Sequence, residues 1–217
     1  MPFVDREIEM SALEAAYKNP IASLFVVYGR RRVGKTTLLA EFCKGKHALY
    51  YLATEESIQA NCAAFREMAA DFLQDELLRS AANAGWEMIF KTLLAQPSEE
   101  KLVIIIDEFQ YLGKADKAFP SVFQKIWDTQ LKNENVEVIL CGSLVHMMME
   151  QTLSYSSPLY GRRTGQIKLK QIPYAYYNQF FPAMSEQERI LYYAVTGGVP
   201  KYIELFHQGK EIYDDIL

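Results

Sequence analysis

A glycine-bounded loop lies between an apolar run and a helical pattern near the start of the chain. Leu24 to Tyr28 is compact, apolar and β-branched, the residues from Gly29 to Thr36 read GRRRVGKT, and Lys35 to Cys43 returns to helical spacing. Glycines let the backbone of such a loop turn its N–H groups inward, and the N-terminus of the following helix adds a favourable dipole for an anion. The segment therefore predicts a strand–loop–helix unit that binds phosphate.

The loop residues have predicted contributions to nucleotide binding. We expect Lys35 to reach the β and γ phosphates and the Thr36 hydroxyl to be a ligand of Mg²⁺. The other loop residues predicted to bind the nucleotide are Gly29, Arg30, Arg31, Arg32, Val33, Gly34 and Thr37. The alternative is an ordinary glycine turn with a surface lysine, which the flanking strand and helix disfavour.

Strand and helix patterns alternate along the chain. Leu102 to Ile106 and Val136 to Cys141 are apolar runs, typical of central strands in a parallel sheet covered on both sides. His47 to Ala53 and Gly165 to Leu169 are further strand candidates. The intervening helical stripes run from Ile58 to Leu77, from Gly85 to Leu93 and from Phe119 to Trp127. We predict an α/β fold, a doubly wound parallel sheet of the P-loop NTPase class.

Two acidic residues end one of these central strands. Asp107 and Glu108 follow the apolar run, at the carboxyl edge of the sheet, where ligands bind in open α/β folds. We expect Asp107 to hold Mg²⁺, usually through water, and Glu108 to orient and polarise the attacking water. Acids also follow buried strands simply because the chain reaches solvent, but the phosphate loop favours the catalytic interpretation.

Ser143 follows the strand from Val136 to Cys141, again at the carboxyl edge. The second acid of the pair suggests the P-loop subclass with an additional strand and a catalytic glutamate, in which this strand lies between the two motif strands. Ser143 is then placed to hydrogen-bond the γ phosphate or the attacking water. A helix N-cap is the competing interpretation, and the two are compatible.

Composition narrows the class of protein and partner. Lys and Arg total 23 against 27 Asp and Glu, a formal net charge of −4, so the overall field does not attract polyanions such as nucleic acid. No apolar run approaches the ~20 residues of a membrane span, and the charged N-terminus does not resemble a signal peptide. Three cysteines without close pairing suit a reduced protein. We expect a cytoplasmic protein without a membrane partner.

Six motifs in this order resemble the archaeal-type ATPases of the STAND division of AAA+-like proteins. They are Phe3–Glu9, the phosphate loop, Asp107-Glu108, Cys141-Gly142-Ser143, Leu159–Arg163 and Thr196–Pro200. The resemblance spans nearly the whole chain. This chain departs from the family at Asp5, where the family usually has glycine.

The resemblance implies further site residues. In similar proteins the opening segment and the Gly-x-Pro turn flank the adenine, which implies base contacts from Phe3 or Val4 and from Pro200. Arg6 of the opening segment is expected among the nucleotide-binding residues. The alternative for the Gly-x-Pro turn is a break between two lid helices.

Arg162 and Arg163 occupy the place where related AAA+ proteins carry an arginine that reaches the γ phosphate of a neighbouring subunit. We therefore predict a catalytic role for one of the two arginines. An ordinary solvated turn is the alternative.

The sequence pattern changes after Pro173 to helices only. We predict an ATPase core over residues 1–172 and the start of a helical lid over 173–217, with helices at 185–196, 200–207 and from 210 onward. The chain ends inside a helical pattern, so we expect the natural protein to continue, as similar proteins do, into further domains. Nucleic acid is expected as a partner only through such a domain.

Tyrosines concentrate near the Arg162 turn and the lid, which indicates either an interface with a second copy or partner protein, or core packing. They are Tyr155, Tyr160, Tyr174, Tyr176, Tyr177, Tyr192, Tyr193 and Tyr202.

Three functions fit the motifs. The leading one is a Mg·ATP-dependent conformational switch with slow hydrolysis. A signalling or nucleic-acid-associated scaffold that holds nucleotide with little turnover is the alternative from another class. A small-molecule kinase would need an acceptor pocket and lid arginines that the sequence does not identify.

Overall fold

The computed structural model describes residues 2–95 and 98–206. Its strands are β1 (Ser23–Tyr28), β2 (Ala48–Leu52), β3 (Leu102–Asp107), β4 (Val136–Gly142) and β5 (Gly165–Lys168). Its α-helices are α1 (Glu7–Lys18), α2 (Lys35–Cys43), α3 (Ile58–Leu73), α4 (Glu76–Ser80), α5 (Trp86–Leu94), α6 (Gln110–Ala115), α7 (Phe119–Ile126), α8 (Val145–Met148), α9 (Glu186–Thr196) and α10 (Pro200–Ile203). Within the described ranges, no helix is both long and apolar enough to cross a membrane.

The five strands form one parallel sheet in the order β2-β3-β4-β1-β5. Strand β4 therefore lies between β1, which leads into the phosphate loop, and β3, which ends in the acid pair. The three central strands are buried along their whole length, whereas the edge strands β2 and β5 are partly exposed. This arrangement confirms the predicted parallel α/β fold and its additional strand.

Apolar side chains pack on both faces of the sheet. On β3, Ile104 and Ile106 point into a cluster with residues of α3, α5, α6 and α7. Val103 and Ile105 alternate with them and join a second cluster that includes Leu13 of α1 and residues of α2. Burying each such side chain contributes about 1.5–3 kcal/mol, so both helix layers hold the strand ends in place.

The predicted helix from Ile58 to Leu77 is wrong at its end. Helix α3 ends at Leu73, and Gln74 adopts a left-handed conformation with φ of 54°. The Asp75 carboxylate then accepts hydrogen bonds from the backbone N–H groups of Leu77 and Leu78 and starts α4. A capping acid thus overrides the apolar spacing, and Leu77 is 83% exposed.

Other helix boundaries also differ from the prediction. Helix α7 continues beyond Ile126 as a π-helical turn over Trp127–Leu131. Helix α10 ends at Ile203 rather than at residue 207, and the predicted helix from 210 onward lies outside the described residues. The predicted helix at 185–196 is confirmed as α9, which the capping box of Ser185 and Glu188 starts.

The segment after Pro173 packs around its own small cluster. Tyr177, Phe181, Tyr192 and Ile203 are buried there, on α9, α10 and a 3₁₀ helix over Tyr174–Gln179. Two of the clustered tyrosines are thus core residues, while Tyr155 is 87% exposed. The domain division at 172/173 remains a prediction.

Candidate functional site

The phosphate loop folds around the Lys35 side chain. Gly34, which precedes α2, has φ of 95°, a left-handed conformation that favours glycine. Lys35 is buried, and its Nζ donates hydrogen bonds to the carbonyl oxygens of Gly29 at 2.9 Å and Arg30 at 3.1 Å. A Cβ on Gly29 would lie 2.3 Å from the carbonyl oxygen of Leu169, so this first glycine permits the close approach of the segment after β5.

A hydroxyl and a carboxylate meet beside this loop. The Thr36 Oγ1 lies 3.4 Å from Asp107 Oδ2, and the backbone N–H of Glu108 donates to Asp107 Oδ1 at 2.8 Å. Among the described residues there is no cluster of three or more His, Cys, Asp or Glu side chains that could hold a metal ion. Magnesium is commonly bound by one or two protein oxygens plus phosphates and water, so Thr36 and Asp107 fit that ion.

Sequence reasoning missed Tyr50 of β2. Its hydroxyl donates to Asp107 Oδ2 at 2.6 Å. Burial of the phenol, with the neighbouring carboxylate, raises the pKa of Tyr50 well above its ordinary value, so the phenol remains a donor. The hydrogen bond fixes the orientation of the Asp107 carboxylate. Strand order was the missing information, since Tyr50 lies beside β3 only because β2 pairs with it.

Three donors converge on one oxygen of Glu108. Its Oε2 accepts from the Ser143 hydroxyl at 2.8 Å, from the Ser143 backbone N–H at 3.2 Å and from the Gln110 amide. Glu108 itself has φ of 54°, a strained conformation for a non-glycine residue that is common at functional sites. Ser143 does not cap α8, whose N-cap is Leu144. Its predicted catalytic role remains a prediction, and Gln110 was missed.

The opening segment is attached to the loop through Arg6. This arginine is 5% exposed and donates to the carbonyl oxygens of Val33 at 3.1 Å and Lys170 at 2.9 Å. Asp5 has φ of 54°, which explains physically why glycine suits this position and why aspartate is tolerated. Arg6 thereby holds Phe3 and Val4 beside the phosphate loop.

A cavity of about 520 Å³ joins these parts. The wall also includes residues that were not predicted, namely Pro2, Ile172, Phe180, Lys201 and Glu204. Ile172 and Phe180 belong to apolar patterns, and Lys201 and Glu204 are exposed residues of the lid. The predicted residues that line it are Phe3, Val4, Arg6, Arg31, Arg32, Val33, Gly34, Lys35, Thr36, Thr37, Glu108, Ser143 and Pro200.

Arg162 and Arg163 lie away from this cavity wall. Arg162 forms a two-pronged ion pair with Asp128, with Nε–Oδ1 at 2.9 Å and Nη2–Oδ2 at 2.7 Å. The guanidinium lowers the pKa of Asp128. The Arg163 guanidinium lies 5.7 Å from the ring centroid of Tyr160. The structure therefore does not bring either arginine to the site of its own chain, and a role in a neighbouring subunit stays a prediction.

Comparison with known proteins places this geometry in a family. An uncharacterized protein of Methanocaldococcus jannaschii is 38% identical over 202 residues, which cover 93% of this chain and 43% of that protein. The chain thus spans less than half the length of that relative.

Two solved structures share the fold. A Walker-type ATPase of Pyrococcus abyssi has a TM-score of 0.63 at 22% identity, covering 94% of this chain and 66% of that one. A signal transduction ATPase with numerous domains from Pyrococcus horikoshii has a TM-score of 0.62 at 19% identity, and the match covers 99% of this chain and 31% of that one. The family of ATPase domains found predominantly in Archaea matches residues 3–206. The chain belongs to this archaeal ATPase-domain family.

Proposed function

We propose that this chain binds Mg·ATP in the cavity, hydrolyses it, and uses the nucleotide state to set the position of the lid against the sheet. One observation carries the proposal. A single cavity is lined by Lys35 and Thr36 of the loop, by Glu108 and Ser143, which directly follow two neighbouring strands, and by Pro200 from the lid. The phosphate-binding loop, the proposed general base Glu108 and the lid therefore all face one bound nucleotide.

The phosphate end of the cavity supplies charge and a base. Lys35 neutralises the β and γ phosphates, and the N-terminus of α2 adds its dipole. Thr36 and Asp107 would hold the magnesium ion, which neutralises phosphate charge when bound. Glu108 orients a water molecule for attack and accepts its proton. The Ser143 hydroxyl, whose proton is donated to Glu108 in this structure, would accept a hydrogen bond from that water or turn to donate to the γ phosphate.

The lid contacts the phosphate loop directly, which supports the switch. The backbone N–H of Lys201 donates to the carbonyl oxygen of Arg32 at 3.5 Å. Arg32 also donates to the Tyr202 hydroxyl at 3.2 Å, and its guanidinium lies 5.4 Å from that ring's centroid. A nucleotide that reshapes the loop therefore acts on α10 without an intermediary. The lid moves because the nucleotide binds more tightly to the protein in one lid position than in the other.

Replacing Lys35 with Ala is expected to weaken ATP binding by tenfold or more, because the charge that faces the β and γ phosphates is removed. Isothermal titration calorimetry with ATP and magnesium measures this. Arg79→Ala is the control, since Arg79 lies on α4 and pairs with exposed acids. Equal affinity in wild type and Lys35→Ala protein would rule out this site.

Pro200→Ser is expected to weaken ATP and ADP alike, by a few-fold. The proposed contact is with the base, which both nucleotides share, and serine is tolerated in the first turn of α10. Calorimetric affinities for ATP and for ADP, measured on wild type and Pro200→Ser protein, test this prediction. A loss confined to ATP would place Pro200 at the phosphates instead and contradict the base contact.

A nucleotide-holding scaffold is the second candidate. The observation that favours it is the engagement of Glu108 Oε2 by Ser143 and Gln110, which holds the carboxylate and leaves a single oxygen for water. Single-turnover measurements with excess protein separate the two functions. Bound ATP that remains intact over hours would favour the scaffold.

A further inference from the structure

Among the described residues, five cationic side chains line the cavity, and four of them are bound by backbone carbonyl oxygens or by side chains of the lid. Lys35 lies inside the loop and Arg6 binds backbone carbonyls. Lys201 is paired with Glu204 at 2.9 Å, and Arg32 contacts Tyr202. The fifth, Arg31, is exposed and has no ion pair with any described carboxylate. Its charge is available to a ligand.

A hydrogen bond to Tyr111 fixes the position of the Arg31 guanidinium. Its Nη2 donates to the Tyr111 hydroxyl at 2.9 Å. Tyr111 lies on α6, three residues after Glu108, and its backbone N–H donates to the Glu108 carbonyl oxygen at 2.9 Å. The guanidinium is therefore held on the side of the cavity where the acid pair ends β3. A neutral phenol positions it without neutralising its charge.

We propose that Arg31 is a γ-phosphate-binding residue supplied by the chain's own phosphate loop, positioned by Tyr111, and that it takes the role otherwise sought in Arg162 or Arg163. This inference rests on the proposed ATPase function. The planar fork of arginine matches phosphate oxygens in pairs, and an arginine at the transferred phosphoryl group stabilises the charge that develops there. In contrast, Arg162 is already paired with Asp128.

The experiment compares wild type, Arg31→Ala, Arg31→Lys and Tyr111→Phe, with Arg79→Ala as a control for the loss of one surface arginine. Two quantities are measured: the single-turnover rate of ATP hydrolysis, and the affinities for ADP with and without aluminium fluoride in the presence of magnesium. Arg31→Ala should lower the rate by about 10² or more and reduce the preference for the fluoride complex over ADP by tenfold or more. ADP affinity should change by less than threefold, and Arg31→Lys should be intermediate.

Tyr111→Phe should reduce the rate several-fold in wild type and have no further effect in Arg31→Ala protein, because a positioning residue acts only through the group that it positions. Mixing Arg31→Ala with Lys35→Ala subunits distinguishes action within one chain from action between chains. No recovery of hydrolysis is expected, since the Arg31 of one chain serves its own site.

Recovery on mixing, or an unchanged preference for the fluoride complex in Arg31→Ala protein, would overturn the assignment while leaving the ATPase function in place. If the wild type does not hydrolyse ATP but Arg31→Ala still loses that preference, the assignment stands and the hydrolytic function fails.

Discussion

Glu108→Gln is expected to leave ATP affinity within a few-fold of the wild type while the rate of hydrolysis falls by about 10² to 10⁴. The substitution preserves the shape of the side chain and an oxygen that Ser143 can bind, but it removes the group that accepts a proton. In the proposed function, binding depends on Lys35, Thr36 and the loop backbone, which this substitution leaves unchanged. Because the proton transfer belongs to the transition state, the loss appears in turnover and not in affinity.

Single-turnover hydrolysis and calorimetric ATP binding, measured on the same preparations, test this separation. Glu134→Gln is the matched control, because Glu134 is exposed and precedes β4 at the opposite edge of the sheet. It should behave as wild type in both assays. If wild type hydrolyses ATP no faster than Glu108→Gln protein, the ATPase switch fails and the nucleotide-holding scaffold takes its place.

The positions of the phosphate loop and the acid pair in the fold were predictable, because each is a short segment placed by the strand that precedes it. Lys35 follows Gly34 at the start of α2, and Asp107 ends β3, so the sequence specifies which groups reach the sheet edge. The position of β4 between β1 and β3 also followed, since the second acid indicated that P-loop subclass. These predictions needed no knowledge of distant contacts.

Residues that act through a partner in another segment were not predictable in this way. Tyr50 contacts Asp107 only because β2 lies next to β3. Arg162 is paired with Asp128, 34 residues earlier in the chain, and nothing in the local pattern indicates that pair. Tyr111 and Arg31 likewise lie 80 residues apart. Tertiary contacts determine these roles, and the local pattern of one sequence does not specify tertiary contacts.

The environment of Glu137 was also not predictable from the local pattern, and it affects the pH dependence of stability. The run from Val136 to Cys141 indicates a buried strand, yet it includes this acid, which is fully buried on β4. Neither carboxylate oxygen has a hydrogen-bond partner among the described residues. Desolvation raises the pKa of Glu137 to about 8, with the charges of Lys101 and Lys46 opposing the shift and that of Glu14 adding to it. The carboxyl group is therefore protonated in the folded protein at neutral pH.

The sign of the pH dependence follows from this shift. Between the ordinary glutamate pKa and about 8, the folded protein binds one more proton at this position than the unfolded chain does. The stabilising contribution of Glu137 is complete below that interval, declines across it, and is fully lost once the pH has risen through about 8. Between these two pKa values, the free energy of unfolding of the wild type should fall relative to that of the Glu137→Gln protein by about 1.4 kcal/mol per pH unit.

Urea unfolding of both proteins at several values between pH 5 and pH 9 measures this difference of slopes, in which the titration of all other groups cancels. The Gln amide, which replaces a protonated carboxyl of similar shape, changes stability by an amount that does not depend on pH, and such an offset does not alter the slope. Parallel pH profiles would show that Glu137 ionises in the folded state as readily as in the unfolded chain. Water or a rearranged Lys101, whose ammonium now donates to the carbonyl oxygens of Asn19 and Ile21, would then have to reach the carboxylate.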